Sequence, residues 1–349
     1  MKIAIATDVH WSEFSSIIRT WVPGEKYSTR LKHCLNSVNW FEKLAKEYNC
    51  DEEFYLGDFF DKPVLNAAEI SALKDIEWND LPKSFLVGNH EADTRGLDQN
   101  SINAFALLKG FNIIDKPTLK KADRVNFLFI PYYEEEDLKT LKQYWEVTDY
   151  DVNSSKIVLS HNSVKGISFG KVPSLVGIDI ADIEQNCDLF INGHLHNGLK
   201  ICSNGLNLGN LTGQNFSEDA TKYNHNACIL DTETGELTFV ENPFAFNFYQ
   251  MDISTEESFK DVKALKNNAI VSFKCLSNLV PALKEFLKSC LNILQYKIVT
   301  IQGAAAEKDI EESTIKISGD HLEKFVTFCK ENIENTEVLS FELSTICGG

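Results

Sequence analysis

Short apolar runs alternate with amphipathic stretches over residues 1–246, a pattern that predicts an α/β domain. The runs that we predict as strands are MKIAIAT, EEFYLGD, KSFLVGNH, VNFLFIPY, KIVLSHN and CDLFINGH. A first helix is predicted to begin after the N-cap Ser28, because apolar side chains then recur at helical spacing. NAAEISALKDIEW and SINAFALLKG predict two further helices, the second stopped by Gly110. NACILDTETGELTFVE predicts a hairpin.

The pattern of apolar runs along the sequence changes near residue 247. Short strand-like runs now alternate with helical stretches such as NLVPALKEFLKSCL and DHLEKFVTFCKEN. The predicted strands of this part are FYQMDIS, AIVSFKCL, YKIVTIQG, TIKIS and VLSFEL. We therefore predict two domains, a large α/β domain at 1–246 and a small α+β domain at 247–349.

Composition adds limits to this picture. The chain has 349 residues, 43% of them hydrophobic, and the sequence has no apolar run of 18 residues of the kind that a transmembrane helix needs. Its start, MKIAIATDVH, lacks the apolar core of a signal peptide. We expect a cytoplasmic protein without a membrane partner. The nine cysteines form no C-x-x-C pair and are expected to be reduced thiols.

The net charge of −17 limits the choice of partners. Proteins that hold DNA through many phosphate contacts usually present a basic face. The charge therefore argues against autonomous, tight binding of nucleic acid.

Polar side chains follow five of the predicted strands. In open α/β sheets, ligands bind outside the carboxyl ends of the strands, so these side chains are expected to meet. A glycine before several of them is expected to let the backbone turn tightly. Five of the eight histidines lie at these ends, which carry Asp8 and His10, Asp58 and Asp61, Asn89, His90 and Glu91, His161, and His194 and His196.

The order D-x-H, G-D-x-x-D, G-N-H-E, H and G-H-x-H resembles the calcineurin-like metallophosphoesterase superfamily. Within it, the chain looks most similar to SbcD-type DNA-repair nucleases and to the recombination-endonuclease subunits of bacteriophages. The resemblance implies a four-layer α/β sandwich with a small C-terminal α+β capping domain. It also implies two divalent metal ions, with Mn²⁺ favoured by a mixed imidazole and oxygen ligand set.

The resemblance assigns roles to individual residues. Asn89, His161 and His194 would hold one ion, and Asp58 would bridge it to the other. The ligands of that other ion would be Asp8, His10 and His196. His90 would stabilise or protonate the leaving oxygen, with Asp61 orienting its ring. Some nuclease relatives carry a histidine at the position of Asp61, and Glu91 replaces their usual aspartate, which leaves its role open.

Three functions remain open at this point. The first is a DNA nuclease, with 3′→5′ exonuclease activity on duplex ends and endonuclease activity on single strands by resemblance. It would be the catalytic subunit of a recombination or repair complex with an SMC-like ATPase, and relatives also form homodimers. The second is a phosphodiesterase or phosphatase acting on a small molecule or protein. The third is a non-catalytic scaffold. Lys62-Pro63 stands where protein phosphatases carry a phosphate-gripping Arg-Gly.

Overall fold

The computed structural model describes residues 1–18, 22–93, 96–169 and 172–302. The chain divides into two compact units, Met1–Thr300 and Ile301–Gly349. The predicted strands TIKIS and VLSFEL and the predicted helix DHLEKFVTFCKEN lie outside the described residues. The domain boundary proposed after residue 246 lies within the first unit and stays a prediction.

Two six-stranded sheets form the centre of the first unit. In the first sheet, four parallel strands are followed at one edge by an antiparallel hairpin, in the order β16-β15-β1-β2-β3-β6. Its strands are β1 (Lys2–Ala6), β2 (Glu52–Leu56), β3 (Lys83–Leu86), β6 (Phe111–Ile114), β15 (Asn226–Asp231) and β16 (Leu237–Glu241). The predicted hairpin is thus confirmed, with Gly235 in its turn at a φ of 73°.

The second sheet has the order β13-β14-β12-β9-β8-β7 and a parallel centre. Its strands are β7 (Thr118–Ala122), β8 (Val125–Ile130), β9 (Ser155–Ser160), β12 (Leu189–Asn192), β13 (Leu199–Lys200) and β14 (Gly205–Asn207). Two short ribbons complete this part, namely β4 (Ala92–Asp93) with β5 (Gly96–Asn100), and β10 (Ser168–Phe169) with β11 (Val172–Pro173).

The sheets face each other across one apolar core, and helices cover their outer faces. Ile3 and Phe54 of the first sheet meet Phe127 and Ile191 of the second in that core. The outer helices are α1 (Thr29–Glu47) and α2 (Ala67–Leu73) on the first sheet, and α3 (Leu141–Glu146) and α4 (Ile180–Asn186) on the second. The result is the four-layer α/β sandwich that the sequence predicts.

Local signals fix the start of the helices. Ser28 caps α1 by accepting a hydrogen bond from the amide of Leu31, as predicted. The predicted helix at SINAFALLKG is wrong in type and length, because the structure has only a 3₁₀ helix at Ser101–Phe105. Ile102 and Phe105, three residues apart, are buried, whereas Leu107 is 97% exposed, so no α-helical apolar stripe continues.

A third sheet follows residue 246. Within the described residues it has three strands, of which the first two are parallel, and two helices pack on one of its faces. Its elements are β17 (Asn247–Ile253), α5 (Phe259–Lys263), β18 (Ala269–Leu276), α6 (Val280–Leu287) and β19 (Ile293–Ile301). Phe248 and Ile270, on the other face, contact Ile18 of the loop that follows β1. No helix in the described ranges is both long and apolar enough to cross a membrane.

One buried charge cluster lies at the starts of β2 and β3. The Lys83 ammonium is 3.1 Å from a carboxylate oxygen of Glu42 and 3.0 Å from one of Glu53, and all three side chains are buried. Burial and the neighbouring Glu42 raise the pKa of Glu53 to about 8. The two acids therefore depend on the lysine for compensation.

We expect Lys83→Met to lower the free energy of unfolding by about 3–5 kcal/mol, because it leaves the buried Glu42 and Glu53 side chains without their cation. Chemical denaturation measures this change. Lys43→Met is the matched control, since Lys43 pairs with Glu77 3.0 Å away at the surface and should cost less than about 1 kcal/mol. Equal effects of the two substitutions would contradict this account.

Candidate metal centre

The predicted site residues follow strands of both sheets. Those of the first sheet follow β1, β2 and β3, which are parallel neighbours, and those of the second follow β9 and β12, which are also parallel neighbours. The carboxyl ends of all five strands meet at one end of the sandwich. The structure thereby brings together all nine predicted residues: Asp8, His10, Asp58, Asp61, Asn89, His90, His161, His194 and His196.

The backbone at this end is strained. Asp8, His10, Asp58 and His194 have φ values between 48° and 74°, in the left-handed region. Residues other than glycine occupy this region at a cost of about 1–3 kcal/mol each. Backbone hydrogen bonds oppose the strain, since the amide of His10 donates to the carbonyl of Asp58 at 2.9 Å.

The glycines at the strand ends mainly provide space. Gly57 alone among the three has a positive φ, as the expected turn requires. A Cβ on Gly88 would lie 2.2 Å from Asp58 Oδ1, and one on Gly193 would lie 2.2 Å from Thr7 Oγ1. Gly88 and Gly193 do not have a positive φ, and what they provide is close approach of neighbouring atoms.

His10 and His196 face each other through their Nε2 atoms, which are 3.1 Å apart. His10 Nδ1 donates to Asp61 and His196 Nδ1 donates to Glu218, each at 3.0 Å. Both carboxylates are ionised at neutral pH because these histidines hold their pKa values low despite burial. If both rings were neutral, they would carry hydrogen on Nδ1 and point two lone pairs at one another, so the contact requires a cation, either a proton on one Nε2 atom or a metal ion. A cation between the two Nε2 atoms removes the repulsion that these lone pairs would cause.

His161 shows the same arrangement with a carboxylate. Its Nδ1 donates to the carbonyl of Leu56 at 2.7 Å, so its Nε2 faces Asp58 Oδ2 at 3.1 Å, and despite burial the carboxylates of Asp58 and Asp8 raise the pKa of His161 to about 9. This position therefore also requires a cation, either a proton or a metal ion. That Nε2 has no hydrogen-bond partner although it is buried. Nearby, Nδ1 of His194 and the side-chain oxygen of Asn89 converge to 3.0 Å.

Buried carboxylates make the centre strongly negative. Asp8 and Asp58 are fully buried, and adjacent histidines lower the pKa of both against the effect of burial. Burial alone lowers the pKa of His10, but the carboxylates of Asp61, Asp8 and Asp58 outweigh it and raise that pKa to about 10. Burial and the neighbouring His161 lower the pKa of His194 to about 4.

Asp61 contacts two histidines in different ways. Its carboxylate accepts from His10, whereas its Oδ1 is 3.6 Å from Nδ1 of His90. Its backbone carbonyl accepts from His90 Nδ1 at 3.1 Å. The predicted contact between Asp61 and His90 therefore runs through the main chain, and the carboxylate orients a predicted metal ligand instead.

Glu91 is fully buried and joins two loops of the site. Its carboxylate accepts from the backbone amides of Gly88, Asp58 and Phe60, at 2.8–3.1 Å. The loop that carries Asp58 is thereby fastened to the loop that carries Asn89. The role of Glu91, which the sequence leaves open, is therefore to join these two loops.

Two supporting residues have no signal in the sequence motifs. Glu218 is buried and accepts from His196, from the side chain of Asn210 and from the amide of Gln214. Arg30 is also buried, and its guanidinium donates to the carbonyl of His10 at 3.1 Å. Neither residue lies within a ligand motif, so only the folded chain shows that they act on His196 and His10.

The donor set fits a pair of divalent ions. Ligand atoms of Asp8, His10 and His196 lie within 4.8 Å of one another, as do those of Asp58, His161 and His194. Metal bonds of about 2.0–2.2 Å at right angles would place neighbouring ligand atoms about 3 Å apart. The converging pairs have this spacing, and Asp8 Oδ1 is buried without a hydrogen-bond partner.

We expect Glu218→Gln to weaken Mn²⁺ binding about 10–100-fold, because His196 loses the carboxylate that fixes its tautomer and ring orientation. Isothermal titration with Mn²⁺ measures the affinity, and thermal melting of the metal-free protein checks the fold. Glu236→Gln, in the exposed hairpin turn, is the matched control. Unchanged affinity in a folded Glu218→Gln protein would contradict the role of Glu218.

Comparison with known proteins identifies the family. No curated protein matches the sequence. Among solved structures, the protein TT1561 of Thermus thermophilus is 14% identical, with a TM-score of 0.41, and the match covers 69% of this chain and 98% of that one. A dimetal phosphatase from Danio rerio is 11% identical, with a TM-score of 0.37 and coverages of 69% and 99%. The family model of calcineurin-like phosphoesterases matches residues 1–198, which include all nine site residues. The chain therefore belongs to the calcineurin-like phosphoesterases, a family of metal-dependent phosphoester hydrolases.

Proposed function

We propose that this chain is a two-metal DNA nuclease that hydrolyses phosphodiester bonds. The observation that carries the proposal is the pair of close contacts that require a cation, His10 Nε2 with His196 Nε2 and His161 Nε2 with Asp58. Two bound divalent ions, with Mn²⁺ preferred for this ligand set, would activate water and neutralise phosphoryl charge. Asp8, His10 and His196 would hold one ion, Asn89, His161 and His194 the other, and Asp58 both.

His90 has the geometry of a general acid. Its Nδ1 donates to the carbonyl of Asp61, which leaves Nε2 as the atom that would carry the proton for the leaving oxygen in the imidazolium form of the ring. Its side chain is 39% exposed, so substrate can reach it. The His90 amide also donates to Asp58 Oδ1 at 2.9 Å, which keeps the ring close to the metal ligands.

The charges around the site favour a diester over a monoester. A diester carries one negative charge and a monoester up to two, so a monoesterase benefits from an additional cationic side chain. Lys62 is instead paired with the buried Glu69 at 2.9 Å. Arg30 donates to backbone carbonyls and to Thr212. Neither of these two cations is directed at the phosphate position.

DNA as the diester follows from the resemblance of the motifs to SbcD-type nucleases. The net charge of −17 fits a subunit that relies on a partner for affinity to DNA. We therefore place the chain in a recombination or repair complex with an SMC-like ATPase, as a possible homodimer, in the bacterial or phage-infected cytoplasm. Exonuclease activity from 3′ to 5′ on duplex ends and endonuclease activity on single strands complete the proposal.

A second candidate is a phosphodiesterase or phosphatase that acts on a small molecule or protein. The same net charge favours it, because a small substrate needs no extended basic surface. The substrate therefore has to be tested directly.

We expect the manganese-loaded protein to cleave duplex DNA, single-stranded circles and bis(p-nitrophenyl) phosphate, and to cleave p-nitrophenyl phosphate poorly. Initial rates on these four substrates measure the preference. Intact DNA together with rapid hydrolysis of the monoester would overturn the nuclease proposal. Metal binding without any hydrolysis would indicate a scaffold.

We expect His90→Gln to lower kcat about 10²–10⁴-fold on DNA while two Mn²⁺ ions still bind, because the change removes the proton donor and no ligand. Steady-state kinetics and metal titration together test this. His33→Gln is the matched control, since His33 bonds the carbonyl of Phe244 away from the motifs. Loss of metal binding in His90→Gln would show that His90 is a ligand.

A further inference from the structure

Among the cavities lined by described residues, two adjoin the metal centre. The cavity that we call the acidic cavity has a volume of about 740 Å³ and reaches Asn89. The other, which we call the His196 cavity, has a volume of about 500 Å³ and reaches His196. A phosphodiester bound at the centre would have these two spaces for its substituents. Both volumes lie in the range of small-molecule sites, about 300–1,000 Å³.

The acidic cavity is a poor place for a further phosphate. The described residues that line it include five acids and no lysine or arginine. The acids are Asp93, Asp98, Asp115, Glu134 and Asp137. Such a concentration of one sign of charge in a concave space repels an anionic group.

The His196 cavity has a different chemistry. Its single acid, Asp219, pairs with Lys222 at 3.0 Å, so the described lining residues other than His196 are close to neutral in sum. The side chains of Asn197, Asn215 and Ser217 provide amide and hydroxyl groups, and Tyr223 adds an aromatic ring. Leucine and isoleucine side chains form the rest.

One polar atom in this lining lacks a partner. Asn197 Oδ1 is buried, and no hydrogen-bond donor lies within reach of it, although the amide nitrogen of the same side chain donates to the carbonyl of Ser217 at 3.3 Å. A buried acceptor without a donor is unfavourable by about 1–3 kcal/mol. Because this oxygen is also closed to solvent, a ligand N–H or O–H group can satisfy it only when the Asn197 amide turns toward the cavity.

We propose that the His196 cavity binds the nucleoside attached to the scissile phosphate. The base would stack on Tyr223 and present its polar edge to Asn197 and Asn215, since a planar heterocycle with donors and acceptors matches this lining. The inference rests on the proposed function, because it takes the phosphate to lie at the metal ligands. It adds the position of the nucleoside and the residues that select it.

The test compares two chromogenic diesters with the manganese-loaded full chain. One is the p-nitrophenyl ester of thymidine 5′-phosphate, and the other is bis(p-nitrophenyl) phosphate, which has no nucleoside. We expect the wild type to prefer the first in kcat/KM at least about fivefold, in line with the contribution of one stacked base. Tyr223→Ala and Asn197→Ala should reduce this ratio toward one, mainly through KM. Tyr296→Ala, at a half-exposed tyrosine of β19, should leave the ratio unchanged.

Binding gives a second measurement that needs no turnover. Calorimetry should show thymidine 5′-monophosphate binding more tightly than inorganic phosphate, with the difference lost in Tyr223→Ala. Equal binding of the two ligands by the wild type, or a preference retained in both variants, would overturn the nucleoside site. Hydrolysis of both diesters without preference would leave the phosphodiesterase in place and reject this inference alone. Tighter binding of thymidine 5′-monophosphate without hydrolysis of either diester would leave the nucleoside site in place and reject the proposed phosphodiesterase activity alone.

Discussion

The whole site depends on the contact between Nε2 of His10 and Nε2 of His196, 3.1 Å apart. Their Nδ1 atoms are occupied by Asp61 and Glu218, so the two Nε2 atoms can face each other in this space only with a cation between them, either a proton or a metal ion. Asp58 adds negative charge beside them. Such an arrangement is unfavourable without a positive charge at its centre, and this is the physical reason for placing divalent ions there.

This contact is formed by segments whose backbone is locally strained. Left-handed backbone at Asp8, His10, Asp58 and His194 turns the ligand loops inward directly after their strands. Glu91 fastens two of these loops through three backbone amides, which holds a conformation that the chain would not keep alone. The apolar core between the sheets supplies the rigidity that such positions require, because packed strands leave the loop ends little freedom.

The sequence predicts the candidate metal ligands better than it predicts the residues that hydrogen-bond to them and orient them. Asp8 and His194 can be predicted because carboxyl ends of parallel strands meet, whatever the rest of the chain does. Glu218 and Arg30 come from segments with no motif, and their contacts arise only when distant loops pack. Asp61 is among the predicted residues, but its carboxylate bonds His10, since spacing along a chain does not fix which ring a carboxylate reaches. The helix predicted at 101–110 is wrong because an apolar run alone does not specify one buried face.

The charge of −17 and a reaction with an anionic polymer are compatible when charge is considered locally. At physiological salt, exposed charges more than about 8 Å apart are largely screened, so distant acids matter little at the phosphate. Near the centre, a substrate would encounter two unlike cavities. The one beside Asn89 is acidic, and the one beside His196 is nearly neutral. In the reaction that we propose, this difference would give a diester a direction, with its phosphate-rich side away from the acids. Net charge would then limit overall affinity, while the two cavities would determine orientation.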